Sequence, residues 1–184
     1  MPVVKDAPLA SIPHRTRLHA RTRIDSGPEA AVDDRDGAQR GALGLLNVAL
    51  ATAMLSMLRY RRDHFMAGGR NGSRIAVEFL IHADEEQVNA DLIAERIVQL
   101  GGEPNFAPQA PRQRTQPPGV ATDEVGRVRE NLLAQRAAIA TYRDLIAHLG
   151  ERDPPTRRLL EGVLGIEEAH AHELLDLLQS DTHS

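Results

Sequence analysis

The sequence contains no cysteine and no tryptophan, and aromatic residues make up only 3% of its 184 residues. Without cysteine, a disulfide framework, a thiolate metal site and a cysteine nucleophile are all excluded. The scarcity of aromatic residues argues against an all-β protein, whose strands are usually rich in them. Hydrophobic residues still account for 41% of the chain. We therefore expect one helical domain with a sizeable core of Leu, Ile, Val and Ala.

Long apolar runs are also missing by inspection of the sequence. No run approaches the roughly 20 residues that a membrane span needs, and the N-terminus lacks the apolar segment of a secretory signal. We expect a cytoplasmic protein without a membrane partner. The formal net charge of -4 gives no global indication of nucleic-acid binding.

Residues 1–40 show no sustained hydrophobic period and contain four of the eleven prolines. This composition predicts a mostly disordered N-terminal extension. Within it, Arg15, Arg17, Arg21 and Arg23 form a basic arm without an intervening acid. The arm could bind DNA or another anionic surface. The alternative, a solvated tail, is favoured because acidic residues follow the arm closely and offset its charge.

Four segments carry apolar residues at helical spacing, over about residues 41–66, 75–100, 122–148 and 154–179. Glycine pairs follow the first two segments, and Pro154-Pro155 begins the fourth. The connections are short, long and short, the long one being the proline-rich stretch 103–121. The pattern predicts an all-α four-helix bundle over residues 41–179, built from two antiparallel hairpins joined by a long crossover. Residues 180–184 would form a C-terminal tail.

A pair of polar residues recurs in the second and fourth helices. Glu167 and His170 fall on the apolar stripe of the fourth helix, and Glu86 and Asn89 have the same spacing in the second. A buried carboxylate needs a partner, so a metal or a protonated base should lie opposite. If the stripe is mis-phased, these side chains are simply solvated.

The two halves of the chain correspond at further positions. Ala53 precedes Glu86 by 33 residues, and Gln135 precedes Glu167 by 32. Each half therefore offers one mid-helix position followed by a Glu-x-x-(Asn or His) pair. Two matched hairpins folded face to face would bring six positions around one central point.

Three stretches resemble bacterioferritin and its relatives in the ferritin-like superfamily. They are residues 46–60, residues 89–106 with their Leu-Gly-Gly-Glu-Pro-Asn-Phe run, and Glu167-Glu168-x-His170. The resemblance covers about residues 43–178. It implies a ferritin-like bundle whose di-iron centre takes a Glu from each of two helices and a Glu-x-x-His pair from each of the other two.

The sequence departs from that pattern at three of the six ligand positions. Ala53 and Gln135 stand where the resemblance expects glutamates, and Asn89 stands where it expects a histidine. Two carboxylates remain where a di-iron centre uses four. Ferroxidase activity, which the resemblance implies, is thereby left uncertain.

The missing ligands are divided unequally between the two metals of the di-iron centre. By the resemblance, one metal would lose both of its private ligands, whereas the other would keep Glu86, Glu167 and His170, with Gln135 able to offer a carbonyl oxygen. This set predicts at most one Fe, Mn or Zn ion per subunit. The alternative is a vestigial site without metal, in which His170 is an imidazolium and neighbouring amides and tyrosines hold the carboxylates.

Several further residues could support the site. The resemblance makes Tyr60 and Tyr142 candidates for hydroxyls bonded to the site carboxylates, although both could serve as core packing. His82 lies one turn before Glu86 and could be an outer ligand or a buried, hydrogen-bonded histidine. Gln87 stands where bacterioferritin has its haem methionine, so no haem is expected.

The sequence thus supports two hypotheses of function. The first is a bacterioferritin-related protein of iron handling or oxidative-stress defence, assembled as a homo-oligomer. The second is a non-catalytic scaffold. It could be a degenerate subunit in a shell shared with a second ferritin-like subunit, or an oligomer that coats DNA through its arginine-rich arm.

Overall fold

The computed structural model describes residues 29–67, 72–107, 121 and 123–181. They form four helices: α1 over Glu29–Met66, α2 over Gly72–Gln99, α3 over Glu124–Leu149 and α4 over Pro154–Asp181. This part of the chain contains no strand. All four predicted helices are present, and the long connection lies between α2 and α3, as the spacing of the sequence predicts.

The helices form a bundle in which α1 lies beside α2 and α3, while α4 lies beside α3 and α2. Two hydrogen bonds fix the direction of α1 against α3. Tyr60 donates to Gln135 over 2.9 Å, and Tyr142 donates to the Ala49 carbonyl over 3.3 Å. Because a later residue on α1 meets an earlier one on α3, these helices are antiparallel. α1 and α2 are antiparallel too, because Gln39 near the start of α1 donates to the Leu100 carbonyl just after α2, and His64 near the end of α1 contacts Ala76 near the start of α2. The long connection after α2 thus joins two antiparallel hairpins.

The core divides into two apolar clusters with a polar layer between them. The larger cluster contains Leu46, Leu50, Ile93 and Leu160, and the smaller contains residues around Phe79. Fully buried polar side chains occupy the level between the clusters: Glu86, Asn89, Gln135, Glu167 and His170. The inward stripes predicted from helical spacing thus carry both the apolar core and the polar centre.

Local sequence signals set the helix ends. The Asp123 side chain accepts a hydrogen bond of 2.6 Å from the Gly126 backbone N–H and caps α3. At the end of α2, Gly101 adopts a left-handed φ of 73°, and the Gly102 N–H donates to the Ile97 carbonyl. A Cβ on Gly102 would collide with Leu43 of α1. The glycine pair therefore both ends α2 and allows close contact with α1.

α1 begins at Glu29, earlier than the start near residue 41 indicated by the apolar period. Residues 29–40 contain no proline and include several good helix formers, so the helix extends without an apolar stripe. Similarly, α4 continues to Asp181. The basic arm of Arg15, Arg17, Arg21 and Arg23 lies outside the described residues.

We expected no segment with the length and apolar composition of a membrane span, and this expectation is wrong for one helix. Residues Gln39–Met66 are long enough, with a mean hydropathy of 1.8 in their most apolar window, to meet the criteria for a membrane span. In the fold, Leu46, Leu50 and Ala53 of this segment are fully buried in the bundle. Because 33% of that window is buried, packing within the described chain accounts for part of the apolar composition.

Candidate metal centre

Glu86 of α2 and Glu167 and His170 of α4 converge inside the bundle. One ligand atom from each side chain lies within 4.8 Å of the other two, and all three residues are buried. His170 Nδ1 is 3.6 Å from Glu86 Oε1. The Glu-x-x-His spacing places Glu167 and His170 on one face of α4. Three of the predicted ligands therefore meet at one point.

The ligand atoms of this centre are poorly satisfied within the described part of the chain. Neither Glu86 oxygen, nor Glu167 Oε1, nor His170 Nδ1 has a hydrogen-bond partner there. Buried polar groups are nearly always paired, and an unpaired carboxylate is especially costly. Four such atoms pointing into one centre fit the donor set of a single divalent cation.

The electrostatics of the centre show the cost of two carboxylates at one buried point. Burial and the neighbouring charge of Glu86 raise the pKa of Glu167 to about 8. Burial opposes the charged form of His170, but the hydrogen bond to Glu85 and the charges of Glu86 and Glu167 raise its pKa above the ordinary value. In the absence of metal, the centre therefore retains protons near neutral pH.

Gln135 of α3 bridges the centre to Tyr60 of α1. Its Nε2 donates to the Glu167 carboxylate and, over 3.2 Å, to the Glu167 backbone carbonyl. Its Oε1 accepts the Tyr60 hydroxyl bond. Tyr60 thus supports the centre through an amide rather than by bonding a carboxylate directly.

The remaining predicted positions differ in their contacts. The Tyr142 hydroxyl donates to the Ala49 carbonyl, so it does not bond a site carboxylate as the resemblance implies. Ala53 is fully buried in the larger apolar cluster and offers no ligand atom. Asn89 is also fully buried, and neither side-chain polar atom has a partner among the described residues. Gln87, at the expected haem-ligand position, is exposed and donates to Asp91.

His82 lies beside the centre rather than in it. Its ring stacks on His170 with centroids 4.1 Å apart, and the Tyr60 ring meets its edge at 5.0 Å. Burial, assisted by the charge of His170, lowers the pKa of His82 to about 3. His82 is therefore a neutral imidazole at physiological pH, with its Nε2 2.8 Å from Glu173.

Two carboxylates near these histidines were not predicted from the sequence. Glu85 lies 2.7 Å from His170 Nε2, and Glu173 lies 2.8 Å from His82 Nε2. Both are partly exposed, so they do not follow the apolar stripe that identified the other residues. Glu173 lies three residues after His170, and this helical spacing was the available sequence signal.

The chain matches a family model described as the ferritin-like domain over residues 43–182, which is most of its length. The chain belongs to the ferritin-like family. No curated protein matches it.

Solved structures similar to this ferritin-like chain include a dodecameric thioferritin, the bacterioferritin-related protein from Bacteroides fragilis. That match has 27% identity and a TM-score of 0.71, and covers 85% of this chain and 96% of the other. A mutant of Dps1 from Mycobacterium smegmatis matches with 22% identity and a TM-score of 0.73, covering 78% and 98% of the two chains.

A third match is a bacterioferritin from Rhodobacter capsulatus with a metal-free dinuclear site and haem iron. It has 21% identity and a TM-score of 0.66, and covers 77% of this chain and 86% of the other. Together these likenesses identify the four-helix bundle as a ferritin-like fold.

Proposed function

We propose that this ferritin-like chain binds one divalent cation, Fe(II), Mn(II) or Zn(II), through Glu86, Glu167 and His170. One observation carries the proposal: buried ligand atoms of all three side chains converge and have no hydrogen-bond partner in the described part of the chain. A divalent ion would neutralise both carboxylates and accept the imidazole lone pair. Two carboxylates and one imidazole suit each of these metals.

Gln135 is placed to supply a fourth ligand. Its Nε2 now faces Glu167, and its Oε1 faces the Tyr60 hydroxyl. Turning the amide over would direct Oε1 to the ion and leave Nε2 facing the hydroxyl, which can also accept a hydrogen bond. The Gln135 amide can therefore contact both the metal-free and the metal-bound centre and keep its hydrogen bond to Tyr60 of α1.

The donor set supports one ion and not two. The position equivalent to the first-helix ligand is Ala53, which has no donor atom, and Asn89 offers only an amide. Two divalent ions would bring four positive charges against the two negative charges of Glu86 and Glu167. The chemistry of an oxygen-bridged iron pair is therefore not part of the proposal, and a single ion would be captured and held.

By family likeness, the physiological role proposed is iron handling or oxidative-stress defence in the cytoplasm. A homo-oligomer is proposed because the Bacteroides fragilis relative is dodecameric. Large apolar side chains exposed on α1 and α2 support assembly: Leu58, Val77, Ile81, Val88 and Leu92. A shell shared with a second ferritin-like subunit and DNA binding by the basic arm remain proposals about partners.

A scaffold without bound metal is the second candidate function. It is favoured by the hydrogen bonds of Gln135 to Glu167 and by the raised pKa values of Glu167 and His170. Protons shared among these groups would let the centre persist in a folded bundle. The two candidates differ in whether the purified chain retains an ion.

Metal analysis of protein purified without chelator, followed by dialysis against limiting Mn(II), Zn(II) or anaerobic Fe(II), tests the proposal. About one tightly held ion per chain is expected, and Glu167→Gln and His170→Gln should lose it. Glu168→Gln and His172→Gln are matched controls, because both are exposed neighbours on α4. Retention of about 0.2 ions per chain or fewer would favour the scaffold.

A further inference from the structure

A second group of ligand-type side chains lies one helical turn from the buried centre. Glu78 and His82 occupy consecutive turns of α2, and Glu173 faces them from α4. One ligand atom from each lies within 4.8 Å of the other two. The same two helices supply both groups, and the stacked rings of His82 and His170 separate them.

One distance in this group is that of a hydrogen bond, and the other is too long for one. His82 Nε2 is 2.8 Å from Glu173 Oε2 and 3.7 Å from Glu78 Oε1. Ligand atoms bound tetrahedrally at about 2.0–2.2 Å from one ion are separated by about 3.3–3.6 Å, so shifts of less than about 1 Å would bring both carboxylates into a coordination shell. One imidazole N–H can satisfy only one of the two carboxylates.

Exposure differs sharply within the group. The His82 side chain is fully buried and directs Nε2 at the two carboxylates, whereas the side chains of Glu78 and Glu173 are 27% and 48% exposed. A buried imidazole fixed by ring stacking supplies a rigid ligand, and the carboxylates remain open to solvent.

We propose that Glu78, His82 and Glu173 form a second divalent-cation site, more exposed and weaker than the buried centre. On binding, the cation takes the Nε2 lone pair of His82, and the ring proton lies on Nδ1, which is buried and has no hydrogen-bond partner among the described residues. The carboxylates lose the hydrogen bond to the ring and gain an ion. Water completes the coordination shell on the exposed side.

The second site goes beyond the proposed function, because its ligands are distinct from Glu86, Glu167 and His170. Its two carboxylates are partly exposed and hydrated, whereas those of the buried centre are not. The two sites should therefore fill in sequence, the buried one at lower free metal concentration.

Calorimetric and absorption titrations with Co(II) test the proposal on the full chain. The wild type should bind two ions in separable phases, and Glu173→Gln and Glu78→Gln should each weaken the second phase at least tenfold. Both positions are partly exposed, so these variants should fold normally. Glu168→Gln, another partly exposed glutamate of α4, is the matched control and should retain both phases.

The two proposed sites can be tested separately, because different variants remove each one. Loss of the first phase in Glu167→Gln, with the second retained, would support two independent sites. A second phase that persists unchanged in the Glu78→Gln Glu173→Gln double variant would overturn the second site. A first phase unaffected by Glu167→Gln would overturn the proposed function while leaving the second site to be judged by its own variants.

Discussion

Replacing Glu167 by glutamine should stabilise the metal-free protein while abolishing metal binding at the buried centre. The carboxyl is fully buried, and its pKa is raised from 4.5 to about 8 by burial and by the charge of Glu86. At pH 7, the folded chain must therefore bind a proton that the unfolded chain has released. The cost is about 1.4 kcal/mol per pH unit between 4.5 and 7, or about 3 kcal/mol in total.

Glutamine removes this cost because it carries no ionisable group. Its carbonyl oxygen can still accept the hydrogen bond from Gln135. We expect the unfolding free energy of the chelator-treated variant to rise by about 1–3 kcal/mol at pH 7, which raises Tm by several degrees. Glu168→Gln should change stability by about 0.5 kcal/mol or less, since that side chain is partly exposed.

The same argument gives a pH dependence for the metal-free wild type. The pKa of Glu167 is higher in the folded than in the unfolded chain, so the folded state holds more protons and stability falls as pH rises. The raised pKa of His170 acts in the same direction above pH 6.5. His82, with its pKa lowered to about 3, acts oppositely below 6.5.

Stability of the chelated wild type should therefore decline between pH 6.5 and 8, and the decline should be shallower in Glu167→Gln. Denaturant unfolding followed by circular dichroism measures both effects. Zn(II) at a concentration that fills only the buried centre should stabilise the wild type and leave Glu167→Gln unchanged. A chelated variant less stable than the wild type at pH 7, or a wild type that gains stability over this range, would refute the electrostatic reasoning.

Three further substitutions probe separate parts of the molecule. Gln135→Glu should destabilise the chelated protein by about 3 kcal/mol in denaturant unfolding, because a third buried carboxylate replaces the amide that donates to Glu167. The same variant should bind Zn(II) more tightly in calorimetry, and weaker binding would contradict this. Gly101→Ala should cost about 1–2 kcal/mol, measured by thermal unfolding, because its left-handed φ of 73° is unfavourable for a residue with a Cβ. Asp123→Ala should cost about 1 kcal/mol by removing the α3 cap, whereas Asp123→Asn should cost little.

Much of the bundle follows from helical periodicity and local end signals. Leu160, Val163, Leu174 and Leu177 define a stripe in the sequence, and all four are buried in α4. Local signals also mark the ends of α2, α3 and α4. The early part of α1 could not be predicted in this way, because it has no apolar stripe and its helix propensity is only a weak signal.

The candidate centre was predictable where its residues lie on those stripes. Glu86, Gln135, Glu167 and His170 are inward because their spacing matches the leucines, and the repeat between the halves indicates that they meet. Hydrogen-bond partners could not be obtained in this way. The hydroxyl of Tyr142 selects a backbone carbonyl over a carboxylate, a choice that depends on sub-ångström positions of neighbouring helices.

The sequence by itself determined that four amphipathic helices carry polar residues on their buried faces, since a period of 3.6 residues fixes which side chains share a face. Only the tertiary structure decided how those faces meet. The pairing of α2 with α4 brings Glu173 to His82 and Glu85 to His170. Such contacts depend on the register between helices distant in sequence, which packing of the whole core sets and no single helix encodes.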